Sequence, residues 1–172
     1  ETLDGARRIQ DITSSLRDFS RLDNAEWQCA DIHEGLESTL KIVNHEIKYT
    51  VKEIIKDFGN LPFIYCLPSQ LNQVFLNLLV NASHAIEKDG KISIQTRFIE
   101  ETNQVSIRIT DNGVGIPDSI LSKIFNPFFT TKEVGTGTGL GLSISYSIVE
   151  AHQGSIEVDR SITQGTSFLI AL

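Results

Sequence analysis

Half of the chain's 12 glycines fall between residues 113 and 141, as Gly113, Gly115, Gly135, Gly137, Gly139 and Gly141. Glycine gives up more conformational freedom on folding than any other residue and brings no side chain to pack. A core has no use for such a cluster, so the backbone there must come close to something that side chains would keep away. The last four glycines, in Gly135-Thr136-Gly137-Thr138-Gly139-Leu140-Gly141, run straight into a helical pattern. A loop of that kind ahead of a helix N-terminus lets oriented N–H groups and the positive end of the helix dipole hold an anion such as phosphate. It is not a Walker A loop, because no Gly-Lys-Ser/Thr follows at the right spacing. Nor is it a dinucleotide fingerprint, because no strand immediately precedes it and no βαβ unit contains it. The alternative is a flexible surface loop, but a plain linker does not usually feed a well-formed amphipathic helix.

The 172 residues, 40% hydrophobic and 22% charged, suffice for one domain with a core and little more. A net charge of −7 argues against a nucleic-acid surface, which needs a basic stripe. An anion can still bind through backbone N–H groups and a metal ion. Cys29 and Cys66 are the only cysteines, which excludes a disulfide scaffold and a multi-cysteine zinc site and fits two small hydrophobes in a reducing compartment. No apolar run approaches the 18 residues of a membrane span, and no signal peptide is visible. With Glu1 first and no methionine, the expectation is a piece of a longer chain.

Along the chain, residues 3–22 read as a helix. Ile9, Ile12, Leu16 and Phe19 follow 3/4 spacing, while Arg7, Arg8, Asp11, Arg17 and Asp18 cover the other faces. Such a stripe needs a partner, as in a coiled coil or helical hairpin of a dimer. The polar break Asp23-Asn24 sets it apart, so 1–24 is expected to be a linker or dimerisation segment and 27–172 the globular domain. Within that domain the patterns predict a strand at Cys29–Ile32, a helix from His33 to Ile47 and a strand from Tyr49 to Phe58. A turn at 59–62 and a helix from Pro68-Ser69 follow, with Ser69 as N-cap and Gly90 closing it. Alternating Ile92, Ile94, Thr96, Phe98 and Val105, Ile107, Ile109 predict a hairpin. A helix over 140–152 and strands at 155–159 and 166–172 complete the order. Hairpins outnumber crossovers, so an α+β fold is expected, with a mixed or antiparallel sheet packed on one face by helices.

Three further clusters carry chemistry. Asn77 and Asn81 lie four apart on the Ser69 helix, and amides on an apolar helix are costly unless bonded. Either they satisfy one another's surroundings in the core or both face a ligand, where an amide oxygen suits Mg²⁺ beside substrate phosphates. Asp111-Asn112-Gly113-Val114-Gly115-Ile116-Pro117 follows a strand, so the carboxylate stands where it can accept from an exocyclic amine such as that of adenine; ordinary turn chemistry is the alternative. Phe125-Asn126-Pro127-Phe128-Phe129-Thr130-Thr131-Lys132 places three phenylalanines in a loop, either anchors of a movable lid with Lys132 reaching phosphate or a satellite cluster under a long loop.

Asn77-Leu78-Leu79-Val80-Asn81-Ala82, Asp111-x-Gly113-x-Gly115, Phe125-x-Pro127-Phe128-Phe129-Thr130-Thr131-Lys132 and Gly137-Thr138-Gly139-Leu140-Gly141-Leu142-Ser143 resemble the N, G1, F and G2 boxes, in order and spacing, of the catalytic ATP-binding domain of two-component sensor histidine kinases. That domain belongs to the wider superfamily of gyrase, Hsp90, histidine kinase and MutL. The resemblance covers roughly 27–172 and extends to Gly165-Thr166-x-Phe168. It implies a two-layer α/β sandwich, the Bergerat ATP-binding fold, preceded by part of the dimerisation and phosphoacceptor hairpin.

It also implies roles. Asn81 would be the Mg²⁺ ligand and Asn77 a supporting nucleotide contact, with Lys132 the third residue acting on the transferring phosphate. Asp111 would bind the adenine amine, in a pocket shaped by Gly113 and Gly115, and Ile116 and Phe125 would also contact the nucleotide. Lys132 and the backbone of Gly137, Thr138, Gly139, Leu140, Gly141 and Leu142 would hold phosphates. His84 would approach them, and Thr166 would buttress Asp111. The family's aromatic four after the N-box Asn is Ala85 here, and Leu67 replaces a frequent acidic residue. Hydrolytic relatives carry a glutamate where Asn77 stands; an amide cannot take up the water proton, so hydrolysis should give way to transfer.

His33, His45, His84 and His152 all depart from the family's acceptor signature, His-Glu followed by a Pro a few residues on at the start of a helix, so the acceptor is expected upstream. The fragment should then bind Mg-ATP without phosphorylating itself. The implied partners are ATP, the upstream hairpin and a response-regulator receiver domain, in a homodimeric parent. Neither nucleic acid nor a membrane segment is expected here, and the domain would be cytoplasmic. The loop over 126–137 should be mobile without nucleotide. Alternatives are a serine kinase of the anti-sigma type, an ATPase clamp, or a nucleotide-sensing module without transfer activity.

Overall fold

The structure is a computed structural model that describes residues 26–132 and 137–172. The first element is a short strand, β1 (Gln28–Ala30), and Asp31 then turns the chain into α1 (Ile32–Ile47) by accepting the His33 N–H at 2.8 Å. There follow β2 (Val51–Phe58), β3 (Ile64–Cys66), α2 (Pro68–Ala85), β4 (Gly90–Ile99), β5 (Gln104–Asp111), the single turn α3 (Asp118–Leu121), α4 (Gly141–Ala151), β6 (Ser155–Val158) and β7 (Thr166–Ala171). β1 and β3 form a two-stranded antiparallel ribbon.

The other strands make one five-stranded sheet in the order β2-β4-β5-β7-β6. β2 and β4 run parallel, because the connection between them crosses over through β3 and α2, whereas the remaining pairs are antiparallel. The core lies between this sheet and the helices: Leu36 and Val43 of α1, Leu71, Val74, Phe75, Leu78 and Leu79 of α2, and Ile148 and Val149 of α4 pack with Ile92, Ile94, Ile107 and Ile170. α2 is the central helix, with α1 on one side and α4 on the other. The architecture is therefore the expected α+β arrangement, a mixed sheet with helices packed on it.

Several boundaries differ from the sequence reading. Leu67, not Ser69, is the N-cap of α2, and no side chain caps it. Pro68 takes the first helical position, where its missing N–H is no loss and its fixed φ suits the helix. Gly90 does not close α2, which ends at Ala85 and an extended Ile86. It opens β4 instead, where a Cβ would fall 2.9 Å from the Val51 Cα. The strand expected from Tyr49 starts at Val51, and its broken alternation resolves into Ile54 half-buried and Ile55 exposed. β3 and α3 were not expected; both are too short to show a period. The helix expected over 3–22 lies outside the described residues.

Two histidines do structural work. The ring of His33 lies flat on Phe58, with centroids 4.5 Å apart, and its Nε2 stands 2.8 Å from the buried Thr96 Oγ1. His152 closes the far end of the helical layer. Its Nδ1 donates to the Ile148 carbonyl at 2.7 Å, its Nε2 accepts the Leu67 N–H at 3.0 Å, and Trp27 packs on the ring at 4.9 Å. The start of α2 and the end of α4 are thereby tied through one imidazole. His152→Ala is expected to cost about 2 kcal/mol, since it leaves the Leu67 N–H without its acceptor. Urea denaturation reads this as a lower midpoint, and an unchanged midpoint would contradict it.

Candidate functional site

β5 brings Val105, Ile107, Ile109 and Asp111 to the buried face of the sheet by strict alternation. The last of these is a carboxylate. Its Oδ1 accepts two backbone N–H groups, from Gly113 at 2.8 Å and from Thr166 at 3.2 Å on the neighbouring β7. Oδ2 has no hydrogen-bond partner among the described residues, and no buried side-chain oxygen there is left unpaired, so Oδ2 opens to solvent. Burial pushes the Asp111 pKa above its ordinary value, against the two backbone bonds that lower it. The Thr166 contact to Asp111 is made by its main-chain N–H.

The turn after Asp111 lies under the end of α2. The Val114 N–H donates to the Ala85 carbonyl at 2.9 Å, and a Cβ on Gly113 would stand 2.6 Å from the Ala85 carbonyl carbon. Asn112 ties the same turn to the α2–β4 connection, its Oδ1 accepting the Lys91 N–H at 2.8 Å and its Nδ2 donating to the Asp89 carbonyl. Gly115 faces the carbonyl of Gly165 in the β6–β7 turn, 3.0 Å from where its own Cβ would be. Ala85, where an aromatic was the family expectation, thus supports the turn through its backbone.

On α2, the two amides behave differently. Asn77, for which both a satisfied core amide and a ligand contact were open, spends both donors on protein. Its Nδ2 donates to the Gly141 carbonyl at 2.9 Å and to Ser145 Oγ at 3.2 Å, while its Oδ1 accepts from Gln73 Nε2 at 3.0 Å. The half-buried Asn81 makes no side-chain hydrogen bond among the described residues, so its amide is available to a ligand or a metal. One turn further, His84 Nδ1 stands 2.6 Å from Lys132 Nζ. Burial pushes the Lys132 pKa below its ordinary value, and the ring nitrogen accepts a hydrogen bond from the ammonium.

Lys132 also meets the Gly-rich approach to α4. A Cβ on Gly137 would lie 3.2 Å from the Lys132 side chain, and one on Gly139 would lie 2.5 Å from the Phe128 carbonyl carbon. Gly139 has φ +67, in the left-handed region that glycine adopts without penalty because it has no Cβ. Leu140 is buried and its N–H reaches Thr138 Oγ1 at 3.3 Å. α4 starts at Gly141 with no side-chain cap and no acidic residue in its first turn, so the N–H groups there, including that of Leu142, are left for an external acceptor. Phe125 leans on Tyr146 of α4 at 5.5 Å, and Ile116 packs against the core. The mobility expected over 126–137 falls partly on residues 133–136, outside the described residues.

These contacts tie the turn after Asp111 to the end of α2, His84 of α2 to Lys132, and Lys132 to the Gly-rich approach to α4. A cavity of about 310 Å³ between β1, α1 and the start of α2 contains none of these residues. No three of His, Cys, Asp or Glu cluster among the described residues. A metal at Asn81 would need further oxygens from a ligand, which is how Mg²⁺ is usually held. Sequence reasoning missed Gln73, Asn112 and Ser145. Ser145 could have been found by stepping one turn from Gly141.

Residues 66–172 match the family model described as histidine kinase-, DNA gyrase B-, and HSP90-like ATPase. Signal transduction histidine-protein kinase AtoS of Escherichia coli (strain K12) is 40% identical over 165 residues, which are 95% of this chain and 27% of that protein. Sporulation kinase E of Bacillus subtilis (strain 168) is 32% identical over 167 residues, 96% of this chain and 22% of that one. The chain thus spans about a quarter of the length of these curated relatives. Among solved structures, a mycobacterial sensor histidine kinase, MprB, superposes with a TM-score of 0.75 at 26% identity, covering 86% of this chain and 97% of that chain. A nucleotide-free catalytic domain of histidine kinase ThkA gives 0.75 at 28% identity, covering 86% and 95%.

Proposed function

The chain belongs to the histidine kinase-, DNA gyrase B- and HSP90-like ATPase family, and from that premise we propose that it binds Mg-ATP and directs the γ-phosphate to a histidine on an upstream helical hairpin, as the catalytic part of a two-component sensor kinase. The observation that carries this reading is the buried Asp111 carboxylate. One oxygen is held by two backbone N–H groups and the other is open beside Gly113. That leaves one fixed acceptor for an exocyclic amine next to a turn that a flat base can approach closely.

The remaining roles follow from what each group offers. Gly113, Gly115, Ile116 and Phe125 line the adenine side. Lys132, with His84 beside it, and the backbone of Gly137, Thr138, Gly139, Leu140, Gly141 and Leu142 hold phosphates on the other. Asn81 is the side chain that would hold Mg²⁺, which when bound supplies positive charge to the phosphate oxygens of an acidic domain. The acceptor imidazole would attack in line, forming a P–N bond as the bond from the γ-phosphorus to the β,γ-bridging oxygen breaks and ADP leaves. The chain's part is to position and to neutralise charge. Neither Asn77 nor Asn81 can serve as a base toward water, which favours transfer over hydrolysis.

In this reading residues 27–172 are the catalytic domain and 1–24 the end of the acceptor hairpin. The parent is a homodimer that passes its phosphate to a receiver domain on the cytoplasmic side. No helix among the described residues is long and apolar enough to cross a membrane. Titration calorimetry with ATP and Mg²⁺ tests the central step, and the absence of binding heat would overturn it. Asn81→Ala is expected to weaken Mg-ATP at least tenfold and to leave adenosine binding unchanged; equal loss for both ligands would remove the metal role. Phosphohistidine formed on an added acceptor hairpin, and not on the domain alone, would mark a histidine kinase rather than a nucleotide sensor.

A further inference from the structure

We propose that Asn77 is a positioning residue, which with Gln73 and Ser145 clasps the first turn of α4 into place for the nucleotide's phosphates rather than touching the nucleotide itself. This rests on the functional reading above and deepens it. An amide that contacts phosphate must donate, because phosphate oxygens only accept. Both Asn77 donors are already used, at 2.9 Å to the Gly141 carbonyl and at 3.2 Å to Ser145 Oγ. The amide cannot be turned over, since the Gly141 carbonyl has no proton to give. Gln73, one turn earlier on α2, holds the amide oxygen from behind at 3.0 Å.

Ser145 is the second half of the clasp. It is fully buried, yet it carries a hydroxyl where Ile148 and Val149 continue an apolar face. That hydroxyl donates to the Gly141 carbonyl at 2.9 Å and accepts from Asn77. The carbonyl of the first residue of α4 is thus gripped from two sides. Gly141 leaves ordinary contact room for the amide, since a Cβ there would meet Asn77 Cγ at 3.6 Å. The consequence reaches solvent at the other side of the same peptide units. The N–H groups of the first turn of α4 lie rigidly on the turn whose carbonyl is held, so the clasp sets where they aim. A helix N-terminus that must meet a phosphate to within a fraction of an ångström needs such support from behind.

The test is a double-mutant cycle in the intact chain, with Ser145→Ala, Asn77→Ala and both together. Calorimetry measures ATP with Mg²⁺ and, separately, adenosine, and thermal melting monitors the fold. Ser145→Ala is expected to weaken ATP about fivefold and Asn77→Ala about tenfold. Adenosine affinity should stay within about twofold throughout, because the Asp111 side is untouched. The double variant should be no weaker for ATP than Asn77→Ala alone, since the two residues act on one carbonyl. Losses that multiply would mean that Asn77 meets the phosphates directly and would overturn the proposal. So would parallel losses for ATP and adenosine, or full ATP affinity in Ser145→Ala. If the wild-type chain binds neither ligand, the functional reading itself falls and takes this inference with it.

Discussion

Asp111→Asn is expected to lose nucleotide binding by about 100-fold or more while the chain stays folded at least as well as the wild type. The asparagine oxygen can keep the place of Oδ1 and accept the N–H groups of Gly113 and Thr166, at 2.8 and 3.2 Å in the wild type. Its NH₂ then stands where Oδ2 stood and confronts the exocyclic amine donor to donor. The fold loses little by this, because the carboxylate is itself a burden. Burial raises the Asp111 pKa above its ordinary 3.8, so the native state holds the proton more tightly than the unfolded chain does. For such an acid, stability falls as pH rises from the unfolded pKa to the folded one, and the cost is fully present at neutral pH. Removing the charge removes that cost. Two measurements check this: calorimetry with ATP and Mg²⁺, and a melting temperature at pH 7 equal to or above that of the wild type. Wild-type binding should also weaken as pH falls through the raised pKa, where Oδ2 gains a proton and stops accepting. An Asp111→Asn variant that binds ATP normally would remove the adenine assignment.

How much of this was legible in the sequence depends on the range of the interaction involved. The long helices and the hairpin announce themselves through their periods, and the four boxes identify the family because each is a local string. Asp111 was legible as a strand-end carboxylate. Its burial was also there to be read, by counting in twos from Val105, but its partner on β7 depends on a strand pairing fifty-five residues away in sequence. The ambiguity at Asn77 has the same origin. One side chain on an apolar helix does not reveal whether its hydrogen bonds go to a ligand or to Gly141 and Ser145 on another helix. The parallel pairing of β2 with β4 was invisible because β3 is too short to register as a strand. Ser69 and Gly90 misled because cap chemistry was assigned from residue type, when Pro68 and a close backbone contact decide those positions.

Gly113→Ala should be strongly destabilising, whereas Gly141→Ala, inside the same glycine cluster, should be nearly neutral for stability. The difference is one of neighbours. A Cβ on Gly113 would lie 2.6 Å from the Ala85 carbonyl carbon and 2.9 Å from its Cβ, atoms of a helix end that cannot rotate away. The turn would have to move, loosening the Val114 N–H to Ala85 bond at 2.9 Å and the Gly113 N–H to Asp111 bond at 2.8 Å. Overpacking together with two weakened hydrogen bonds amounts to about 3 kcal/mol. A Cβ on Gly141 would meet the Asn77 side chain no closer than 3.6 Å, and alanine is a better helix former than glycine by about 1 kcal/mol, which offsets minor adjustment. Urea denaturation separates the two: a large fall in midpoint for Gly113→Ala, and an unchanged or slightly higher one for Gly141→Ala. Equal behaviour of the two variants would mean that the turn does not lie under α2. Because the moved atoms include one of the two donors that hold Asp111, Gly113→Ala must also weaken ATP binding even where enough folded protein survives to measure it. Gly113 therefore links the stability of the α2–β5 junction directly to the carboxylate that reads the base.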